Sequence, residues 1–448
     1  MEEEEKQKIF HELVEKYFIQ CDRFLIERWK IDNEPLANLI PEKIRQEAYH
    51  HFYEVAAKQN IASRPTIQRW FGIRGHSMPK REQIFHLAFV CGFTVDETRE
   101  YLQYAISEPD FQVNDYHEMI ALYGLDNHMS YEEYEDMVEY FEQYSDWSIP
   151  IRQTAHTDEI MRRYEPVRHL KPKDFLLWVR RNEELFKGYS MTTYRNFMNL
   201  VEEALTLFRE EIRELLFLTL EDTGFFQWAE ENHVAESEYG KEIRHFLKNK
   251  KRRKNNPISK EKIEEIEQLT AMAYSPLRRV CDLLSEIYSG IQISNTNLDK
   301  SIQKELRQEI GYVDAKYISE IISISSQKEK EMHLLQAYTK CRKGILNKVD
   351  EKYLQRQMKQ QRQRTHNIRR PDLLLLIQYV TQKRYLREIQ KNGQVYEEKD
   401  AKDLFIETAD TILNICGMRP MNEKYRLDYL LLKCFGADDI YYLSDILE

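Results

Sequence analysis

Residues that turn a chain are scarce in this sequence. It holds 13 glycines and 12 prolines in 448 residues, well below ordinary usage. Strand-rich folds reverse direction every few residues, and glycine and proline supply most of those reversals. A chain poor in both is pushed toward long helices, so the sequence predicts an all-α fold. Hydrophobic residues make up 42% of it, enough to bury real cores, and the 32% charged fraction suits exposed helical faces. The length allows about two to four domains.

Several function classes are excluded early. The longest apolar runs, such as Leu373 to Ile377, fall far short of a membrane span. The start, "MEEEEKQK", is acidic, unlike a secretory signal or a transit peptide. A cytoplasmic protein with no membrane partner is the expectation. The six cysteines (Cys21, Cys91, Cys281, Cys341, Cys416, Cys434) are scattered, with no CxxC among them. They read as free thiols in a reducing compartment, not as a disulfide framework or metal site. There is no GxGxxG, phosphate loop, HExxH or GxSxG. His50 and His51 are adjacent and so point to different helix faces. The expectation is therefore no enzyme, with no catalytic residue, no metal and no cofactor assigned.

Apolar periodicity predicts helices over 8–30, 41–59, 79–91 and 95–105. From Glu100 to Pro150 there is no Lys or Arg, while acids recur from Asp110 to Glu142. Within that block "SYEEYEDMVEYFEQY" opens with Ser130 and Glu133 at capping-box spacing. "SDWSIPIRQTAHTDE" reads as a linker, which places a boundary near 150–165. Beyond it, helices are expected over 172–187, 191–220, 236–250, 259–288, 298–309, 314–323, 327–345, 349–364, 371–391, 399–416 and 421–435. The segment "MIALYGLDNHMSYEEYEDMVEYFE" looks like one tetratricopeptide unit, but no further copy recurs at the 34-residue period of such arrays. The expected organisation is an N-terminal helix (1–40), a small unit (41–105), an acidic tyrosine-rich segment and linker (106–165), and a large helical region (166–448), either a bundle or an irregular helical repeat.

One stretch runs against the net charge of −10. "RPTIQRWFGIRGHSMPKR", Arg64 to Arg81, carries Arg64, Arg69, Arg74, Lys80 and Arg81 and no acid. Ser63 can cap a short helix with Pro65 in its first turn. Ile67 and Trp70 share a face and point to a core, which leaves Arg64, Gln68 and Arg69 toward solvent. Gly72 ends that helix. Pro79 starts the next, with Ile84, Leu87, Ala88 and Cys91 as its apolar stripe. Gly92 ends it, and Thr94 with Glu97 forms a capping box for a final helix.

This order resembles the Cro-repressor-like helix-turn-helix domain of the Xre family, over about residues 41–105. The family has a small residue, Thr, Ile, a polar residue, Arg and an aromatic at the spacing of "PTIQRW". It also has a proline after the turn and a start to its last helix like "GFTVDET". The sequence departs from the pattern before the basic helix, where Ala57 and Asn60 stand in a turn that usually carries a small residue and a glycine. The resemblance implies double-stranded DNA as partner. It places Arg64, Pro65 and Arg69 on the face that reads bases, with Thr66 and Gln68 beside them. It places Arg74, His76, Lys80 and Arg81 against phosphates.

The basic clusters "KNKKRRKNNP" (248–257) and "RQMKQQRQRTHNIRR" (356–370) read as solvated helix and loop, and the acidic block as a solvated face. The expected function is a DNA-binding transcriptional regulator. Its 166–448 region would form a homodimer and take input from a peptide, small-molecule or protein effector. The alternative is a helical interaction or scaffold protein, for example of a phage, plasmid or defence locus, in which nucleic-acid contact is secondary.

Overall fold

The structure, a computed structural model, describes residues 3–15, 21–28, 40–56, 59–74, 77–106, 108–147, 155–186, 191–251, 258–274, 280–289, 315–347, 350–364, 368–437 and 439–447. The chain is all-α. Strand structure among these residues is limited to isolated bridges such as Phe435–Ile440. No described helix is long and apolar enough to cross a membrane.

The helices follow in chain order. α1 (Glu3–Glu15) and α2 (Cys21–Arg28) precede α3 (Glu42–Ala56), α4 (Arg64–Trp70), α5 (Arg81–Cys91) and α6 (Val95–Glu100). A wide π turn, Tyr101–Ala105, leads on to α7 (Tyr116–Asp126), α8 (Tyr131–Tyr144), α9 (Thr157–Tyr164), α10 (Pro172–Arg181) and the single turn α11 (Glu183–Phe186). The long α12 (Met191–Leu220) is followed by α13 (Phe225–Glu231), α14 (Tyr239–Lys251), α15 (Lys260–Ala273) and α16 (Val280–Ser289). The last group is α17 (Ala315–Ile322), α18 (Ile324–Arg342), α19 (Glu351–Arg364), α20 (Arg370–Asn392), α21 (Glu398–Ile415), α22 (Arg426–Lys433) and α23 (Leu443–Leu447).

Three hydrophobic cores organise these helices. The first runs from Phe24 to Phe186 and takes in Met332, Leu335 and Met358 from α18 and α19. The second joins Ile9, the first half of α12, α16, α17 and the described residues from Ile368 to Ile446. The third, Leu216 to Ala273, gathers α13, α14 and α15 around the second half of α12. At 1.5 Å per residue α12 is about 45 Å long, so one helix serves two cores.

Several sequence expectations need adjustment. The segment expected as a linker, 145–159, runs into α9 at Thr157, its residues 148–154 lie outside the described residues, and Trp147 and Ile160 on either side of them both belong to the first core. Ile160 and Tyr164, one turn apart, are both buried, and Tyr164 Oη donates to Asp126 Oδ2 at 2.6 Å. Farther on, Tyr123 stacks on Phe175 at 3.8 Å, which ties α10 to the acidic segment. The single helix expected over 259–288 is described as α15 and α16, and α13 had no counterpart in the sequence reading. The helix expected over 298–309 lies outside the described residues.

The apolar stripe expected at Leu373, Leu374, Ile377 and Val380 is wider than a stripe. Every residue from Leu373 to Val380 is buried, because α12 and α21 enclose the first half of α20. That helix is anchored by charge at its first residue. Arg370 is 1% exposed and Asp428 0% exposed. Arg370 Nη1 and Nη2 donate to the two Asp428 oxygens, each at 2.6 Å. Its remaining donors reach the carbonyls of Arg419 (3.0 Å) and Pro420 (3.1 Å). Removing one partner of such a pair leaves an uncompensated buried charge. Asp428→Ala is therefore expected to destabilise the chain by about 3–5 kcal/mol, with Asp428→Asn intermediate, measured as the fall in urea midpoint of the full-length protein.

Candidate nucleic-acid interface

The basic stretch is built on a buried aromatic floor. Ile67 and Trp70 of α4 are each 2% exposed. Trp70 meets Phe52 of α3 edge-on, with ring centroids 6.1 Å apart, and Phe71 lies 5.5 Å from the same ring. This fixes the rotation of α4, so Arg64, Pro65 and Arg69 are exposed while Thr66 and Gln68 are half-buried. The turn before α4 holds Asn60 at φ +50°, a left-handed conformation that Asn tolerates far better than most residues. Asn60 thus takes the backbone role for which a glycine is usual.

Ser63 stands at the N-cap position, but its hydroxyl does not cap a backbone N–H as expected. It pairs instead with Thr66 Oγ1 at 2.9 Å, which also accepts from Arg69 Nη2 at 3.3 Å. Gly72 ends the helix at φ +68°. Ser77 N then donates to Arg69 O at 3.2 Å, folding the turn back against α4. Arg74 and Lys80 are exposed on that turn. His76 lies outside the described residues.

Arg64 is held by α3. Its Nε donates to Tyr49 Oη at 3.0 Å, and its guanidinium carbon lies 5.6 Å from the centre of the Tyr53 ring. The bond to Tyr49 raises the Arg64 pKa above its ordinary value. Its two Nη groups have no acceptor among the described residues. Sequence reasoning missed Tyr49 and Tyr53 as the support of this arginine.

Arg81 departs from the expected set. It is 6% exposed and faces inward. Its Nε and Nη2 donate to Glu118 Oε1 and Oε2, both at 2.7 Å. Nη1 reaches Pro109 O at 2.5 Å and Nη2 reaches Asp110 O at 2.7 Å. Burial by itself would lower the Arg81 pKa, but Glu118, with Glu108 and Asp110 beyond it, raises it well above the ordinary arginine value. Arg81 is therefore not part of the outward cation set. The spacing carried this signal, since Arg81 shares a helical face with Ile84, Phe85 and Ala88, all buried.

In the acidic block Glu132, Glu133, Glu135, Asp136 and Glu139 are exposed, while Glu118 and Glu142 are buried. Glu118 binds Arg81, and Asp110 Oδ2 accepts from Arg99 Nε at 2.7 Å. Tyr116 Oη donates to Glu142 Oε1 at 2.8 Å, and Glu139 pairs with Arg342 of α18. Gly124 lets α7 approach α5 closely, because a Cβ there would sit 2.9 Å from the Phe89 ring.

The other basic clusters lie largely outside the described residues. Of 248–257, residues 252–257 lie outside the described residues. In 356–370, Arg356 is exposed, the side chains of 359–367 lie outside the description, and Arg370 is buried. Among the described residues no group of three or more His, Cys, Asp or Glu could hold a metal ion. The thiols of Cys91 and Cys434 are pushed up to about 12 by burial, which leaves them unreactive near neutral pH. No protein-family model, curated protein or solved structure matches the chain.

A structural role for Arg81 makes a prediction distinct from phosphate binding. Arg81→Met should cost about 3–5 kcal/mol by stranding Glu118, and Arg81→Met with Glu118→Leu should recover most of it. Chemical denaturation of the full chain measures both. A phosphate contact would instead leave stability alone and reduce the salt dependence of DNA binding by about one ion.

Proposed function

We propose that the chain is a DNA-binding regulator whose reading element is α4 and whose backbone contacts come from the turn that follows. The observation carrying this reading is the division of α4 into two sides: Ile67 and Trp70 buried, Arg64, Pro65 and Arg69 exposed. Arg74 and Lys80 stand beside them, and no acid occurs from Arg64 to Arg81. Arginine Nη groups can bond guanine O6 and N7 together, while lysine and arginine elsewhere neutralise phosphates without reading sequence. The likeness to the Xre helix-turn-helix supports the same assignment. In this reading Tyr49 holds Arg64 in place, so less side-chain freedom is lost on binding.

The remaining helical region supplies a homodimer contact and the input from an effector. Two chains on a dyad-symmetric site would neutralise about 4–8 phosphates, so the log–log salt slope of DNA affinity is expected at about −4 to −7. Arg69→Ala should cost about 1–3 kcal/mol at one base pair and relax preference there, whereas Arg74→Ala and Lys80→Ala should weaken all sequences alike. Selection of duplexes from a random library, followed by titration of these full-length variants, tests the assignment. A flat salt response, or the same uniform loss from Arg69→Ala and Lys80→Ala, counts against it.

A further inference from the structure

Arg81 and Arg370 sit far apart in sequence, yet they do the same thing. Each is the first residue of a helix and lies beside a proline-containing segment, "MPKR" in one case and "RRP" in the other. Each donates to both oxygens of a buried carboxylate, Glu118 or Asp428. Each also grips two successive carbonyls of one loop, Pro109 and Asp110 or Arg419 and Pro420. In both loops the carboxylate accepts a backbone N–H as well: Gln112 N to Glu118 at 2.6 Å, and Asn422 N to Asp428 at 2.8 Å.

The surrounding elements correspond in order. α5 ends at Gly92 with φ +63°, and α20 ends at Gly393 with φ +64°. The next helical segment closes on Leu102 and Ala105 before Pro109, and on Leu413 and Cys416 before Pro420, with all four apolar residues buried. The helix that carries the carboxylate then follows, α7 or α22. The second loop is one residue shorter between its proline and its carboxylate, and α20 and α21 are extended relative to α5 and α6.

The two loops also touch. Asp110 N donates to Gly417 O at 2.9 Å, and Gln103 Nε2 donates to the same oxygen at 3.2 Å. We infer that residues 81–126 and 370–433 are two copies of one helical unit, and that the second copy is a built-in partner that clamps the first at the base of the basic stretch. The route is continuous. Arg370 holds the 417–420 loop, Gly417 holds Asp110, Arg81 holds Pro109 and Asp110, and Arg81 opens α5 directly after the basic turn. Displacing the second copy unloads that turn, so whatever acts on α20–α22 reaches the surface carrying Arg74 and Lys80. The effect on DNA rests on the function proposed above; the clamp itself does not.

Gly417 offers a specific way to open the seam. Its φ is +68°, and a Cβ there would lie 3.8 Å from that of Asp110. Asp and Asn are the side chains besides glycine that visit this backbone, so Gly417→Asp and Gly417→Asn differ mainly in a charge set against Asp110 and against the C-terminal carbonyls of α21. In the full chain, Gly417→Asp should speed hydrogen exchange of the α5 amides Ile84 to Leu87 by at least about tenfold relative to Gly417→Asn. Exchange at Leu200 to Leu205 of α12 should stay unchanged, and added salt should partly restore α5. Affinity for the selected duplex should fall in parallel. Equal α5 exchange in the two variants overturns the clamp. If Gly417→Asp unfolds α12 as well, Gln103→Glu decides instead, since it sets a carboxylate against the Gly417 carbonyl. Unchanged α5 exchange there overturns the clamp, and selective loss supports it. If the wild-type chain binds no selected duplex, the DNA reading falls while the exchange comparison still judges the clamp.

Discussion

A guanidinium buried at Arg81 must find an acceptor for nearly every N–H, or its desolvation goes uncompensated. Much of the first half of the structure follows from meeting that demand. Glu118 supplies two oxygens, which fixes where α7 lies against α5. Pro109 and Asp110 supply two carbonyls, which fixes the path of the loop between them. Once α5 is set in this way, Phe85 meets Phe111 and the Phe89 ring packs on Tyr134. The acidic segment is thereby part of the same body as the basic one. One pair of opposite charges that look segregated along the sequence, Arg81 and Glu118, is brought together in the dry interior.

What remains outward on the basic stretch is defined by subtraction. Trp70 and Ile67 take one side of α4 into the core, Arg81 is withdrawn inward, and Arg64 leans on two tyrosines of α3. The candidate reading surface is thus smaller than the charge run that marks it. Its cations are held at one end by aromatic packing and at the other by a turn bonded back to Arg69.

The all-α class was legible from the poverty of glycine and proline, and the local signals around the basic stretch were equally plain. Gly72 and Gly92 do end helices in the left-handed region, and Thr94 with Glu97, like Ser130 with Glu133, closes a capping box. These features depend on neighbours within a few residues, so a single sequence contains them. Pairings over longer separations were hidden. Nothing local says that Glu118 belongs to Arg81, or that Tyr164 reaches Asp126, because many carboxylates competed for each role. The paired arginine anchors escaped notice because α20 and α21 are lengthened, so no fixed period links the two copies. Their likeness is held in hydrogen bonds, with only a few residues in common.

α12 couples two cores through one continuous helix. Its first half belongs to one core and its second half to another, and the two are joined by unbroken helix through Arg209–Leu215. A helix advances about 100° per residue at 3.6 residues per turn. Inserting or deleting one residue in that stretch would swing the whole Leu216–Ala273 core around the helix axis relative to its neighbour, far beyond what side chains can absorb. Substitution can reshape this part of the molecule, but change in length cannot. Length variation is left to the connections between helices, and the middle of α12 acts as the phase lock of the chain.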